Sequence, residues 1–393
     1  MICSISSPPI RRRPGDGRGP RGFTLVELLV VILILAVLIT LLLPALNFAV
    51  STAKNAAVGG EINQLAQALA SFKAKYGDYP PSRIYLSEDG NLMPTNGSTQ
   101  IATGDITYAK LGQRSIAAMR KFFPRMTFNL GTAVAGKWYD FNGDSLGNPA
   151  NGATQQYILQ GHECLVFFLG GIPQYTGSVY AASGFGKDPT NPFTNNLVGA
   201  PGYSGNRQTP FFEFVSNRLV LDPAGTSGIP GYLDSLGNAP PQANSNPPPP
   251  SSTPINFYAY FSAYGNGGYD PNDVNFVSEN YSVASNTYPE LAYNVNFPVT
   301  GATNALSPAP NPYTSTVTVP GTLAATFLNP QSFQIISSGI DGTYGVGGQY
   351  SPDATEALPY DLANNPYFNN TVGTGIRTVE RDNVTNFHNG KLE

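Results

Sequence analysis

Glu27 has the most chemistry to explain, because it stands just inside an uncharged apolar run from Leu28 to Leu46. A carboxylate in a bilayer core costs about 2.5–3.5 kcal/mol on insertion scales, so its charge needs a partner or an exit. Two other groups carry ligand-type side chains. Asp140, Asn142 and Asp144 alternate as a calcium loop begins, but Ser145 replaces the required glycine and Asn151 the closing glutamate. A solvated Asx-turn is the expectation there. His162-Glu163-Cys164 holds metal-binding residue types, yet adjacent positions on a helix or strand do not point at one ion. No nucleophile motif, paired-carboxylate signature or zinc spacing is evident in a chain with 2 histidines, so an enzyme is not expected.

The elements around Glu27 follow from hydropathy. Leu28 to Leu46 is long enough to cross a hydrocarbon core of about 30 Å as a helix. Arg11, Arg12, Arg13, Arg18 and Arg21 precede it and Lys54 is the first basic residue after it. The positive-inside rule then leaves the N-terminus in the cytoplasm and sends the C-terminal bulk across. Ile62, Leu65, Leu69 and Phe72 continue at three- and four-residue spacing, and Tyr76-Gly77-Asp78-Tyr79-Pro80-Pro81 stops the pattern. The expected helix from Phe23 to about Tyr76 would be roughly 80 Å long. Pro44 should kink or locally melt it, and Gly59-Gly60 is a second weak point.

Gly22-Phe23-Thr24-Leu25-Val26-Glu27-Leu28, between an arginine-rich leader and the apolar run, resembles the N-terminus of type IV pilins and of type II secretion pseudopilins. The resemblance is strongest over Gly22 to Pro81. It implies cleavage at Gly22/Phe23 by a prepilin peptidase, methylation of Phe23, and pairing of Glu27 with the N-terminal amine of a neighbouring subunit. An amine and a carboxylate, each costly alone in a low-dielectric bundle, offset much of that cost together. A secretory signal has its cleavage site after its apolar core, whereas here the glycine precedes the apolar run. The basic leader would be removed. With a net charge of −4 for the whole chain, nucleic-acid binding is not expected.

The resemblance divides the chain into a leader at 1–22, a helix at 23–76 with its transmembrane half at 23–46, and a head at 77–393. The expected fold class is α+β: a long N-terminal helix packed on an antiparallel-sheet head with large loop insertions. In the chain, 42 Gly and 35 Pro favour turns and short strands, while 22 Tyr and 22 Phe can build a core. Phe211–Leu221, Phe257–Tyr264, Leu291–Phe297 and Phe333–Ile336 read as strands, and Leu111–Phe123 and Cys164–Leu169 as short helices. Proline-rich insertions are expected within 239–254 and 305–325. Cys3 falls in the leader and leaves Cys164 alone, a buried inert thiol rather than half of a disulfide.

Asp234-Ser235-Leu236-Gly237-Asn238-Ala239 nearly duplicates Asp144-Ser145-Leu146-Gly147-Asn148-Pro149 and resembles a turn of pseudopilin heads. Ser337-Ser338-Gly339-Ile340-Asp341-Gly342, followed by Arg381-Asp382-Asn383-Val384-Thr385-Asn386-Phe387, resembles the calcium-binding segment of major pseudopilins. That resemblance implies Asp382 as a calcium ligand, with Asp341 and Ser338 behind it. Arg381 departs from the pattern, which has an acidic residue there, and the intervening loop is longer.

The expected function is a structural subunit of a type II secretion pseudopilus or related type IV filament. Its implied partners are prepilin peptidase, other pseudopilins and the inner-membrane assembly platform. Its expected location is the bacterial inner membrane, with the head in the periplasm or at the cell surface. The alternative is a membrane-anchored or filament-tip adhesin whose head binds surfaces or glycans.

Overall fold

The computed structural model describes residues 24–92, 106–144, 155–175, 179–194, 205–221, 227–236, 256–264, 268–269, 273–274, 312–315, 326–342, 344, 347–353, 358 and 376–392. The chain forms two compact units, Met1–Thr52 and Ala53–Glu393. The architecture is α+β, a long N-terminal helix followed by small antiparallel sheets.

Helix α1 spans Leu25–Tyr76. From Leu25 to Val50 its side chains are exposed. The backbone stays helical through Gly59-Gly60 and through Pro44, so the helix does not melt at the proline. Within the second unit Asn55, Val58, Ile62, Leu65, Leu69 and Phe72 are buried at three- and four-residue intervals, the stripe of a helix lying on a core. The ring of Phe72 meets Phe122, Phe168 and Phe211 at centroid distances of 5.2, 5.7 and 5.3 Å. Helix α1 ends where Gly77, at φ +84°, turns the chain and donates its amide to the Lys73 carbonyl.

Strand β1 (Ile84–Ser87) pairs antiparallel with β2 (Gln156–Leu159), Ile84 opposite Leu159. Between them lies α2 (Ile106–Phe122). Helix α3 (Gly161–Gly170) follows β2 and is buried along all its residues, which its apolar sequence permits on every side. Two small pairs come next, β3 (Pro173–Tyr175) with β4 (Tyr180–Ala182), and β5 (Leu219–Val220) with β6 (Gly231–Tyr232). Strands β7 (Ala259–Ser262), β8 (Phe333–Ser337) and β9 (Val384–Thr385) form a sheet in the order β7-β8-β9. Gln334 on the fully buried β8 keeps its amide satisfied through the Tyr313 backbone and the Leu328 carbonyl.

The expected helices near 111–123 and 164–169 and the strands near 257–264 and 333–336 are present with shifted ends. The single strand expected over Phe211–Leu221 is not. The amides of Phe211 and Phe212 bond the Leu169 carbonyl, Ser216–Arg218 makes one 3-10 turn, and only Leu219–Val220 pairs as β5. The strand expected at Leu291–Phe297, the insertions at 239–254 and most of 305–325 lie outside the described residues.

Candidate functional site

The N-terminal end of α1 is organised by Thr24 and Glu27. Glu27 donates its amide to Thr24 Oγ1 at 3.2 Å. The Thr24 amide and hydroxyl donate in return to Glu27 Oε2 at 2.9 and 2.8 Å. This is a capping box, which satisfies donors that the first helical turn leaves open. Thr24-x-x-Glu27 ahead of an apolar run is its sequence signature. Behind the box, every residue from Thr24 to Val50 is exposed. The helix is long and apolar enough to cross a membrane, with a mean hydropathy of 3.2 over its most apolar window. Gly22 and Phe23, the expected cleavage junction, lie outside the described residues.

The family described as the prokaryotic N-terminal methylation motif matches residues 17–43, which include that junction, the capping box and the first turns of α1. With the long apolar helix, that match fits a type IV pilin-like protein. The motif implies a prepilin-peptidase substrate and assembly into a pilin-type filament, and with the apolar helix it fits a membrane-anchored protein. No curated protein and no solved structure matches the chain.

Beyond the long helix, three residues expected to bind calcium, Ser338, Asp341 and Asp382, meet at one loop. The Asp382 Oδ2 accepts the amides of Ile340 and Asp341 at 2.6 and 3.0 Å. Asp341 is exposed, while Ser338 is fully buried. Next to Ser338, the Ser337 hydroxyl bonds the buried Asp234 carboxylate, whose other oxygen takes the Leu236 amide at 2.7 Å. Burial pushes the Asp234 pKa up to about 6 against those bonds. The turn at 234–236 is thereby fixed to the end of β8.

A second carboxylate group gathers where β1 ends. Glu88, Asp140 and Asp144 each place an oxygen within 4.8 Å of the others. Glu88 and Asp140 are buried, so the solvated turn expected at 140–144 is corrected. Its Asx character holds, with the Gly143 amide on Asp140 Oδ1 at 2.8 Å and the Asp144 amide on Asn142 Oδ1 at 3.1 Å. The Tyr157 hydroxyl lies 2.8 Å from Glu88 Oε1 and 2.5 Å from Gln155 Oε1. A phenol has one proton, so a protonated Glu88 would supply the second bond. Burial first, then the charges of Asp140 and Asp144, push the Glu88 pKa up to about 8 against the Tyr157 bond. Either a proton or a cation would relieve this crowding. Sequence spacing showed the 140–144 half; Glu88 comes from a distant segment and carried no local signal.

His162, Glu163 and Cys164 serve packing and capping. His162 stacks on Phe257 at 4.7 Å, and Glu163 takes the Gln160 amide at 3.0 Å and the Ser227 hydroxyl. Cys164 is fully buried, and burial followed by the Glu163 charge raises its pKa well above the ordinary thiol range. A thiol held protonated is a poor nucleophile.

Proposed function

We propose that this chain is a structural, non-enzymatic subunit of a type II secretion pseudopilus or a related type IV filament. The observation that carries the reading is the uncovered apolar surface of α1 from Leu25 to Val50 behind the Thr24–Glu27 cap. Such a helix needs lipid around it or the helices of like subunits, and a filament subunit meets both in turn. The methylation motif at its start supplies the processing step that separates the two states. The leader arginines favour a cytoplasmic N-terminus, which puts the head in the periplasm or at the cell surface. The likeness of 337–387 to major pseudopilins favours type II secretion over a retractile pilus.

Mass spectrometry of the mature chain tests this reading. The expected N-terminus is methylated Phe23, and Gly22→Ala should slow its appearance. Mature chains that still begin at Met1 in cells with an active prepilin peptidase would refute it.

A further inference from the structure

We propose that the loop from Ser338 to Gly342 is closed by a metal-free clamp, with the Asp382 carboxylate seated on the loop's own amides. Two successive N–H groups, from Ile340 and Asp341, converge on the single oxygen Oδ2. Consecutive amides that converge in this way form an anion-binding concavity, and bonds to a charged acceptor are roughly twice as strong as neutral ones. The close approach is built into the backbone. Gly339 sits at φ +70°, and a Cβ there would lie 2.5 Å from the Asp382 carbonyl oxygen and 2.6 Å from its Cγ.

A calcium ion fits this arrangement poorly. A cation on Asp382 Oδ2 would face the partial positive charges of the same two amides. The other carboxylate of the Ile376–Asp382 turn, Glu380, is also engaged. It takes Arg377 Nη2 at 2.8 Å and Nε at 3.1 Å, the Tyr313 hydroxyl at 3.0 Å and the Gly347 amide at 3.2 Å. Arg381, exposed beside Asp382, adds positive charge rather than a ligand. Ser338 Oγ supplies one neutral oxygen where calcium takes six to eight. Asp382 therefore performs with hydrogen bonds the loop closure that a cation would otherwise perform.

Thermal melting of the full-length protein in detergent, with millimolar calcium or with chelator, tests the clamp. The expected wild-type melting temperature is the same in both. Asp382→Ala should lower it by several degrees in both, and Asp382→Asn by less, because its carbonyl oxygen still accepts the two amides. Hydrogen exchange at Ile340 and Asp341 should be slow in chelator and faster in Asp382→Asn, a readout that stands even if Asp382→Ala fails to fold. A calcium-dependent rise that disappears in Asp382→Asn would overturn the proposal, as would an Asp382→Ala protein that melts like wild type. A rise retained in Asp382→Asn and lost in Glu88→Gln would place the ion at the other carboxylate group and leave the clamp standing.

Discussion

Glu61 of α1 and Arg218, at the end of a 3-10 turn, form a two-pronged ion pair at 2.7 and 2.8 Å. The hydroxyls of Tyr232 and Tyr258 donate to the same carboxylate at 2.8 and 2.5 Å. The guanidinium lies 4.2 Å from the centre of the Tyr232 ring and donates from Nε to the Leu233 carbonyl at 3.0 Å. Burial acts to raise the Glu61 pKa, but the Arg218 and tyrosine bonds outweigh it and hold the carboxyl below its usual range. One residue on the helix thus fixes three later segments of the head.

Removing Arg218 should be harmful in a specific way. Arg218→Met leaves Glu61 charged among two phenols, and breaking a buried pair costs about 3–5 kcal/mol. The side chains here keep 20% and 15% of their surface exposed, so the lower end applies. Glu61→Met combined with Arg218→Met should recover part of the loss. Urea denaturation of the four proteins of this cycle measures it, and additive single effects would mean the pair is not coupled.

The two roles of Glu27 can be separated. Glu27→Gln keeps an oxygen for the Thr24 bonds but removes the charge; Glu27→Ala removes both. If pairing with a neighbour's amine drives assembly, sheared-fibre yield should collapse equally in both variants. A near-normal yield in Glu27→Gln would assign the residue to capping.

Stability should fall as pH rises, because the Glu88 pKa moves from 4.5 unfolded to about 8 folded. The folded state holds the extra proton, so the contribution is complete below about pH 4.5 and is lost as pH rises through about 8. Asp234 adds a slope of the same sign at lower pH. Glu88→Gln mimics the neutral acid and should flatten the upper part of the melting curve against pH. Trp138, the chain's single tryptophan, has its indole N–H 3.4 Å from Glu88 Oε2, so its emission should titrate in wild type and not in Glu88→Gln.

Gly161→Ala should be among the most damaging small changes. A Cβ at Gly161 would collide with the Tyr260 carbonyl oxygen of β7 and lie 2.8 Å from Val274 Cγ2. Overpacking of this kind costs about 1–3 kcal/mol and can cost more against backbone. A drop in melting temperature of several degrees is expected, whereas Gly60→Ala, with nothing nearby, should be neutral or stabilising.

What the sequence made legible was local. The α1 stripe of Ile62, Leu65, Leu69 and Phe72 and its stop at Tyr76-Gly77 are periodic signals set by neighbouring residues. Strands β7 and β8 carry aromatic and branched runs, but their pairing of Ala259 with Ile336 joins residues far apart in the chain. Phe211–Leu221 has the apolar pattern of a paired strand, but its first amides bond the end of α3. At the sites, the alternation of Asp140, Asn142 and Asp144 was visible, and Glu88 completes the group only through folding. Asp382 was found for its position, while its amide partners depend on the backbone path at Gly339.

The boundary at Ala53 has a practical side. A soluble fragment cut at the visible helix stop, Gly77, would discard Val58, Ile62, Leu65, Leu69 and Phe72 together with Glu61. It would lay bare the rings of Phe122, Phe168 and Phe211 and leave the half-buried Arg218 without its acid. Such a fragment would aggregate, and a mutational survey made on it would mistake the damage of the cut for the effect of each substitution. The last turns of α1 are, in folding terms, the first element of the unit that follows Thr52.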